Sequence, residues 1–291
     1  MDINYELYKV FYHVANTLSF SEASKQLFIS QSAVSQSIKV LEKKLNQPLF
    51  IRSTKRVQLT PEGEILLKHI EPAMNLIRQG ENQLLEANTL NGGQLRIGAS
   101  DTICRYYLVS YLKDFHRRYP NVHIKVTNQT SIACAKLLES GQVDFAITNY
   151  PNSGLSNTQN VRIIREFKDV FVANDEYKEL KGKTVSLKDL KQFPILMLDR
   201  KSTTSEFLHS MFQRHQLDLV PEIELSSNDL LIDLARIGLG VAFVPDYCIP
   251  ENERSLFKVQ IEEELPIRQI VVASNDSLPI SQAAKQFMEM L

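Results

Sequence analysis

"FISQSAVSQSIKVLEKKL", Phe28 to Leu45, sets apolar side chains at helical spacing and leaves a second face of amides and hydroxyls. Val34, Ile38, Leu41 and Leu45 form the stripe that a helix buries. Gln31, Ser32, Ser35, Gln36 and Lys39 form the other side, and no acid occurs between Glu22 and Glu42. A solvated helix face ordinarily mixes Glu with Lys. An acid-free face of Gln and Ser can enter a major groove without repelling phosphates. Gln pairs with adenine edges there, and Ser donates or accepts at several bases. Lys39 suits a phosphate.

The flanking residues extend this reading. In "YELYKVFYHVANTLSF" (Tyr5–Phe20), Leu7, Val10, Phe11, Val14 and Ala15 make one buried stripe. In "SEASKQLFIS" (Ser21–Ser30), Ser21 is the expected N-cap and Ala23, Leu27 and Phe28 the expected inward residues; Ser30 caps the next helix. Two short helices, a tight turn and a longer polar-faced helix make a helix-turn-helix. After it, "NQPLFIRSTKRVQLT" (Asn46–Thr60) reads as a hairpin with Arg52, Lys55 and Arg56 near its tip, placed for phosphate or minor-groove contact. Residues 1–60 hold eight Lys/Arg against four Asp/Glu, and the remaining residues 25 against 30. The basic excess lies where a polyanion would be met.

The run "SFSEASKQLFISQSAVSQSIKVLEKKLNQPLFIRSTKRVQLTPEGE" (Ser19–Glu64) resembles the N-terminal signature of the LysR-type transcriptional regulators, without gaps from about Leu7 to Glu64. The resemblance implies that bases are approached by Gln31, Ser32, Ser35 and Gln36, and Ser30 and Lys39 join them as candidate DNA-binding residues. It implies that Arg52 contacts the backbone beside the wing. Ser32 stands where many members have Pro, and Gln36 where many have Arg, so the preferred bases should differ. A bacterial regulator of transcription is implied, with double-stranded DNA, a second copy of itself and RNA polymerase as partners. Such dimers usually pair into tetramers and bend DNA.

"TPEGEILLKHIEPAMNLIRQGENQLLEANTL" (Thr60–Leu90) predicts a long helix. Thr60 caps it and Pro61 opens it. Ile70, Ile77 and Leu84 recur every seven residues, with Leu66, Ala73 and Met74 between them, and a long apolar seam needs a partner. The resemblance implies a homodimer through this helix. Pro72 and Gly80 are its weak points, with a bend expected near 68–72. "NTLNGG" should end it.

From Gln94 the pattern changes to short apolar runs alternating with helical periods, "QLRIGA", "VHIKVTN", "VDFAITN" and then a second set from "DVFVAN" to "VAFVP". That alternation predicts parallel sheets with helices on both faces. The fold class is therefore α/β: an N-terminal winged helix-turn-helix (1–60), a linker helix (61–91), and a periplasmic-binding-protein-like regulatory domain (94–291). The last comprises subdomain I (94–166 and 268–291) and subdomain II (167–267), joined by crossings near 165–169 and 265–269. Ligands of such sheets sit beyond the carboxyl ends of the strands. Ser100, Thr102, Ser131, Thr148, Asn149, Ser202 and Thr203 fall in loops there. Helix N-termini near Thr102, Ser131 and Thr204 favour a small anionic effector, with Arg105 and Arg200 strengthening that preference. Each hydroxyl also suits a plain helix cap.

Cys104 and Cys134 fall in first helical turns, where a thiol's pKa is lowered. A redox or electrophile sensor using both is an alternative, as is a small-solute-binding protein. Cys248 suggests no chemistry. The six histidines are scattered without metal-ligand spacing, and no P-loop or nucleophile elbow occurs. No catalytic residue, metal or cofactor is expected. With no 18-residue apolar run and an N-terminus unlike a signal peptide, no membrane span is expected and a cytoplasmic setting is.

Overall fold

The computed structural model describes residues 3–52, 56–87, 93–157, 159–276 and 278–291, and the chain divides into two compact units. The N-terminal unit begins with helices α1 (Tyr5–Thr17), α2 (Phe20–Leu27) and α3 (Gln31–Leu45). Each is opened by a polar side chain that accepts from a free backbone N–H: Asn4 from Glu6, Ser19 from Glu22, and Ser30 from Ala33. The cap of α2 is thus Ser19 and not Ser21. The helix starts at Phe20, which places Ser21 inside its first turn, where its carbonyl accepts from Ser24 Oγ. All three helices close on a left-handed residue, Leu18, Phe28 and Asn46.

Their stripes meet in one core of Val10, Phe11, Val14, Ala23, Val34, Ile38 and Leu41, which Leu49 and Phe50 complete from the wing. Phe28, expected inside, is exposed, because the left-handed turn carries it off the stripe of α2. The wing pairs β1 (Phe50–Arg52) antiparallel with β2 (Val57–Leu59). Glu42 Oε1 accepts from the N–H groups of Leu49 and Phe50 at 2.9 and 3.2 Å, tying the wing to α3. Helix α4 (Pro61–Ala87) starts at Thr60, whose hydroxyl accepts from Gly63 N–H and donates to the Pro48 carbonyl. A Cβ at Gly63 would lie 2.3 Å from the Leu49 carbonyl oxygen, so only glycine allows this approach. The helix runs on through Pro72 and Gly80, so neither residue ends it. The glycine stop expected at "NTLNGG" lies largely outside the described residues.

The second unit is built on two sheets. The first takes β3 (Gly93–Ala99), a helical stretch made of α5 (Asp101–Ile103), a π-turn (Cys104–Leu108) and α6 (Val109–Arg118), then β4 (Val122–Asn128), α7 (Ser131–Glu139), β5 (Phe145–Tyr150) and β6 (Gln159–Phe167). The chain then crosses to β7 (Asp169–Ala173), β8 (Thr184–Val185), α8 (Leu187–Leu190), β9 (Ile195–Leu198), α9 (Thr203–Arg214), β10 (Ile223–Leu225), α10 (Asn228–Arg236), β11 (Val241–Pro245) and β12 (Phe257–Ile261). It returns along β13 (Arg268–Asn275) to α11 (Gln282–Met290). The strand orders are β4-β3-β5-β13-β6 and β10-β9-β11-β7-β12-β8.

The sheets are mixed, where the alternation predicts parallel ones. β3 lies parallel to β4 and β5, and β9 to β10 and β11, but β13 runs antiparallel to both of its neighbours, as does β7. β7 and β13 continue the two crossings, so each enters its sheet from the end opposite to the strand–helix units. Period-two alternation fills both faces. Phe145 and Ile147 of β5 meet Phe115 and Phe287 on one side, while Ala146 meets Cys134 and Leu138 of α7 on the other.

Candidate functional site

Two places concentrate polar side chains without an obvious structural duty. The first is the outer face of α3. Gln31, Ser32, Gln36 and Lys39 are exposed and Ser35 half-buried, while Val34, Ile38 and Leu41 are fully buried behind them. The Ser30 hydroxyl caps Ala33 and lies 2.9 Å from Ser32 Oγ. The helix has no acid in its first turn, and its one carboxylate, Glu42, is turned to the wing backbone. Lys43 and Lys44 occupy the last turn, where they complement the negative helix end. Of the wing residues, Arg56 is exposed. Lys55 and the Arg52 side chain lie outside the described residues.

On α4 the expected seam divides. Leu66 and Ile70 pack on the core of the N-terminal unit, and Met74 is buried, its Sδ accepting from Tyr5 OH. Arg78 lies over the Tyr12 ring at 5.2 Å and donates to its hydroxyl. Ile65, Ala73, Ile77 and Leu84 point outward, with Leu84 71% and Ile65 61% exposed. Ile70, Ile77 and Leu84 recur on one stripe, so that stripe serves the chain's own core near the start of the helix and stands in solvent farther along.

The second place is a cavity of about 270 Å³ in the C-terminal unit, at the carboxyl ends of β3, β4, β5 and β9. Ser100, Thr102, Ser131, Asn149, Ser202 and Thr203 line it as expected. Thr148 does not; its side chain is buried, and its Oγ1 has no hydrogen-bond partner. Thr130 and Asn228 line it unforeseen, and Thr204, expected only to mark a helix N-terminus, lines it too. The missed signal was the start of α10: "SSND" repeats the Ser-then-helix pattern of "ASDT", so a fourth helix opens there beside those of α5, α7 and α9.

Six lining hydroxyls share one direction of hydrogen bonding, while a seventh, Ser202, accepts from Ser205 N–H and donates to the Asp199 carbonyl. Ser100 Oγ accepts from Ile103 N–H, Thr130 Oγ1 from Ala133 N–H, and Ser131 Oγ from Asn149 N–H. Thr102 Oγ1 accepts from the Asn228 amide at 2.9 Å. Arg268 donates through Nη2 to Thr203 Oγ1 and through Nη1 to Thr204 Oγ1, each at 3.1 Å. Every one of these partners is a pure donor in the contact, which leaves the six O–H protons to point elsewhere. Among the described residues none of the six hydroxyls donates to a protein acceptor. The Oδ1 atoms of Asn149 and Asn228 are buried without partners.

Arg268 was not foreseen in any role. It is 1% exposed, pairs with Asp169 at 2.6 Å, and its guanidinium lies between the rings of Phe167 and Phe207, 5.3 and 5.0 Å from their centroids. Among the described lining residues there is no Lys or Arg, and Asp101 and Asp199 stand at the wall. The two arginines expected to favour an anion are elsewhere. Arg105 pairs with Asp229 at 3.4 Å, and Arg200 is exposed outside the lining. Any attraction for negative charge comes from helix N-termini and hydroxyl protons.

The cysteines depart from the sensor expectation. Cys134 is buried and Cys104 half-buried, and each thiol faces a carbonyl, that of Gln129 at 3.5 Å and that of Ala99 at 3.9 Å. Burial pushes the Cys104 thiol up to about 11, with Asp101 adding to it, and the Cys134 thiol up to about 12. Desolvation outweighs the helix N-terminus, so both stay protonated near neutrality. Among the described residues no three His, Cys, Asp or Glu gather as a metal site, and no helix is long and apolar enough to cross a membrane.

Each of the two places lies in a segment that a separate family model matches. The family model "Bacterial regulatory helix-turn-helix protein, lysR family" matches residues 5–64, and "LysR substrate binding domain" matches residues 88–291. A probable RuBisCO transcriptional regulator of Trichormus variabilis is 31% identical over 239 residues, covering 80% of this chain and 71% of the relative. Full-length CbnR complexed with its target DNA has a similar fold, with TM-score 0.65 and 18% identity over 99% of this chain and 98% of CbnR. So does the Synechocystis CcmR regulatory domain in complex with 2-PG, at TM-score 0.61 and 20% identity, covering 68% of this chain and 95% of that one.

Proposed function

The chain belongs to the LysR family of transcriptional regulators, and from that premise we propose how its residues divide the work. It is a DNA-binding regulator of transcription with an effector-binding domain. The winged helix-turn-helix (1–60) reads the operator, the linker helix (61–91) joins two copies, and residues 94–291 bind the effector between subdomains I and II. Gln31, Ser32, Ser35 and Gln36 meet base edges. Ser30 fixes the start of the reading helix, and Lys39, Arg52, Lys55 and Arg56 hold phosphates. The acid-free outer face of α3, rigidly backed by buried Val34, Ile38 and Leu41, supports this assignment. The protein works in the cytoplasm as a homodimer through the outward row of α4. Pairs of dimers assemble on DNA, and RNA polymerase is the further partner. No catalytic step is assigned to it.

The effector is a small anion bound in the 270 Å³ cavity. The observation that carries this reading is the common direction of the six hydroxyls. Each spends a lone pair on a protein donor and keeps its proton for the guest, so the wall offers donors and suits a ligand rich in acceptor oxygens. Four helix N-termini add partial positive charge. Binding shifts the regulator only as far as the ligand prefers one arrangement of the subdomains.

Footprinting of the full chain on the DNA upstream of its own coding sequence tests the first half. A protected, salt-sensitive site is expected, and its absence at moderate ionic strength refutes it. A thermal-shift screen of small carboxylates and phosphates on the full chain tests the second. The 2-PG of the CcmR complex is the first probe, and a specific guest raises the midpoint by mass action. If neutral polyols raise the midpoint and no anion does, the anionic reading fails.

A further inference from the structure

The turn before α3 holds a residue that gains nothing within its own fold. Phe28 ends α2 in the left-handed conformation, φ 55°, a geometry that glycine or asparagine takes more readily than a bulky ring. The chain itself supplies the contrast, since α3 ends in the same geometry with Asn46. Burial could compensate for such a backbone, but Phe28 is 94% exposed, the most exposed large apolar side chain among the described residues. Leu18, in the matching position after α1, is only 47% exposed. The ring of Phe28 thus combines an unfavourable backbone with full hydration, and a contact outside the fold removes the second cost.

What that contact is follows from the neighbours. Phe28 stands two residues before the Ser30 cap and three before Gln31, at the end of α3 that meets base edges when a helix-turn-helix docks. The surface around it continues the acid-free face, and the nearest preceding acid, Glu22, is paired with Lys25 at 2.7 Å. The apolar row suited to a second copy is a different surface, on α4. In a major groove the one apolar group on a base edge is the thymine 5-methyl. We propose that Phe28 is a specificity residue whose ring packs on a thymine methyl beside the bases read from α3. This rests on the DNA-binding reading above and adds to it a base that no amide or hydroxyl would select.

The test uses the full chain and a duplex that the wild-type protein selects from a random-sequence pool. Thymines are replaced by uracil one position at a time, which removes only the methyl group. The wild type should lose roughly fourfold affinity at one position of each half-site, about the worth of burying one methyl. Phe28→Asn, which suits the left-handed turn, should melt at a higher temperature and bind the selected duplex more weakly. It should also no longer distinguish thymine from uracil at that position. The proposal is overturned if Phe28→Asn binds as tightly as wild type, or if both proteins respond to uracil alike at every position. A change in assembly state by sedimentation with unchanged DNA affinity would assign the ring to another protein surface and equally overturn it. Should the wild type select no sequence, the DNA-binding reading itself fails, a result distinct from the other three.

Discussion

The outer face of α3 and the cavity of the C-terminal unit are both walls of Ser, Thr, Asn and Gln, yet they are built by opposite means. The α3 face is local: its polar residues lie within nine positions of one another, and the buried stripe that supports them is interleaved in the same stretch. Apart from the hydroxyl pair of Ser30 and Ser32, they present donors and acceptors together at the surface, which suits a partner whose donors and acceptors vary from base to base. The cavity is assembled from distant segments. Thr102 takes its hydrogen bond from a residue 126 positions away, and Thr203 from one 65 positions away. There the polarity of six hydroxyls is fixed in advance by their donors. A reader of many sequences keeps its side chains uncommitted, and a receptor for one small molecule commits them.

That contrast can be broken at Arg268, where the largest effect is expected. Arg268→Met leaves the Asp169 carboxylate buried without its partner and should cost about 3–5 kcal/mol in urea unfolding. Adding Asp169→Leu should recover most of this stability without recovering the ligand-induced thermal shift, because Thr203 and Thr204 would no longer be held as acceptors. If the double variant responds to ligand normally, hydroxyl direction does not matter. On the α3 face the corresponding changes should leave stability untouched. Gln31→Ala should relax the preference at one base pair by about 1–3 kcal/mol in selection assays. Lys39→Ala should weaken all duplexes alike and lower the salt slope by roughly one. Equal scaling by both variants would erase the distinction between reading and anchoring.

A smaller effect sharpens the comparison inside the cavity. Thr203→Val keeps the shape and removes the hydroxyl, leaving one Arg268 nitrogen unpartnered; a loss of about 1–2 kcal/mol is expected, with weaker binding of any anion that the screen finds. The smallest effect concerns the thiols. A raised pKa means that the protonated form persists as pH rises, so at pH 8 only about one Cys104 in a thousand is thiolate. Iodoacetamide should label native Cys104 and Cys134 far more slowly than the unfolded chain. Cys104→Ser with Cys134→Ser should leave any response to peroxide unchanged, and rapid native labelling would revive the sensor alternative.

Legibility followed the same division. The helices of the N-terminal unit were readable because each stripe, cap and turn lies within a few residues; the slips were Ser21 for Ser19, a cap displaced by two positions, and Phe28, expected inside but carried out by the left-handed turn. Six of the seven candidate residues line one cavity, as the rule that loops follow strand ends led us to expect. β12 was missed although "FKVQI" alternates apolar and polar residues plainly. Strand direction was not readable, since it depends on where the chain crosses between sheets. Arg268 was invisible for a deeper reason: "IRQIVVAS" looks like a strand opening at a solvated arginine, and its hydrogen-bond partners are 64 to 99 residues away. The divided seam of α4 escaped because heptad spacing alone does not say how far along the helix the chain's own core uses the stripe.

The bare backbone at Gly63 has a consequence for operator geometry. The carbonyl of Leu49 occupies the place where any side chain would begin, so even a methyl group there must pry the wing from the start of α4. In a dimer joined along α4, that small tilt would swing the two reading helices apart or together. The spacing between half-sites is then a length set by one absent carbon, and Gly63→Ala should alter the preferred spacer before it alters any preferred base.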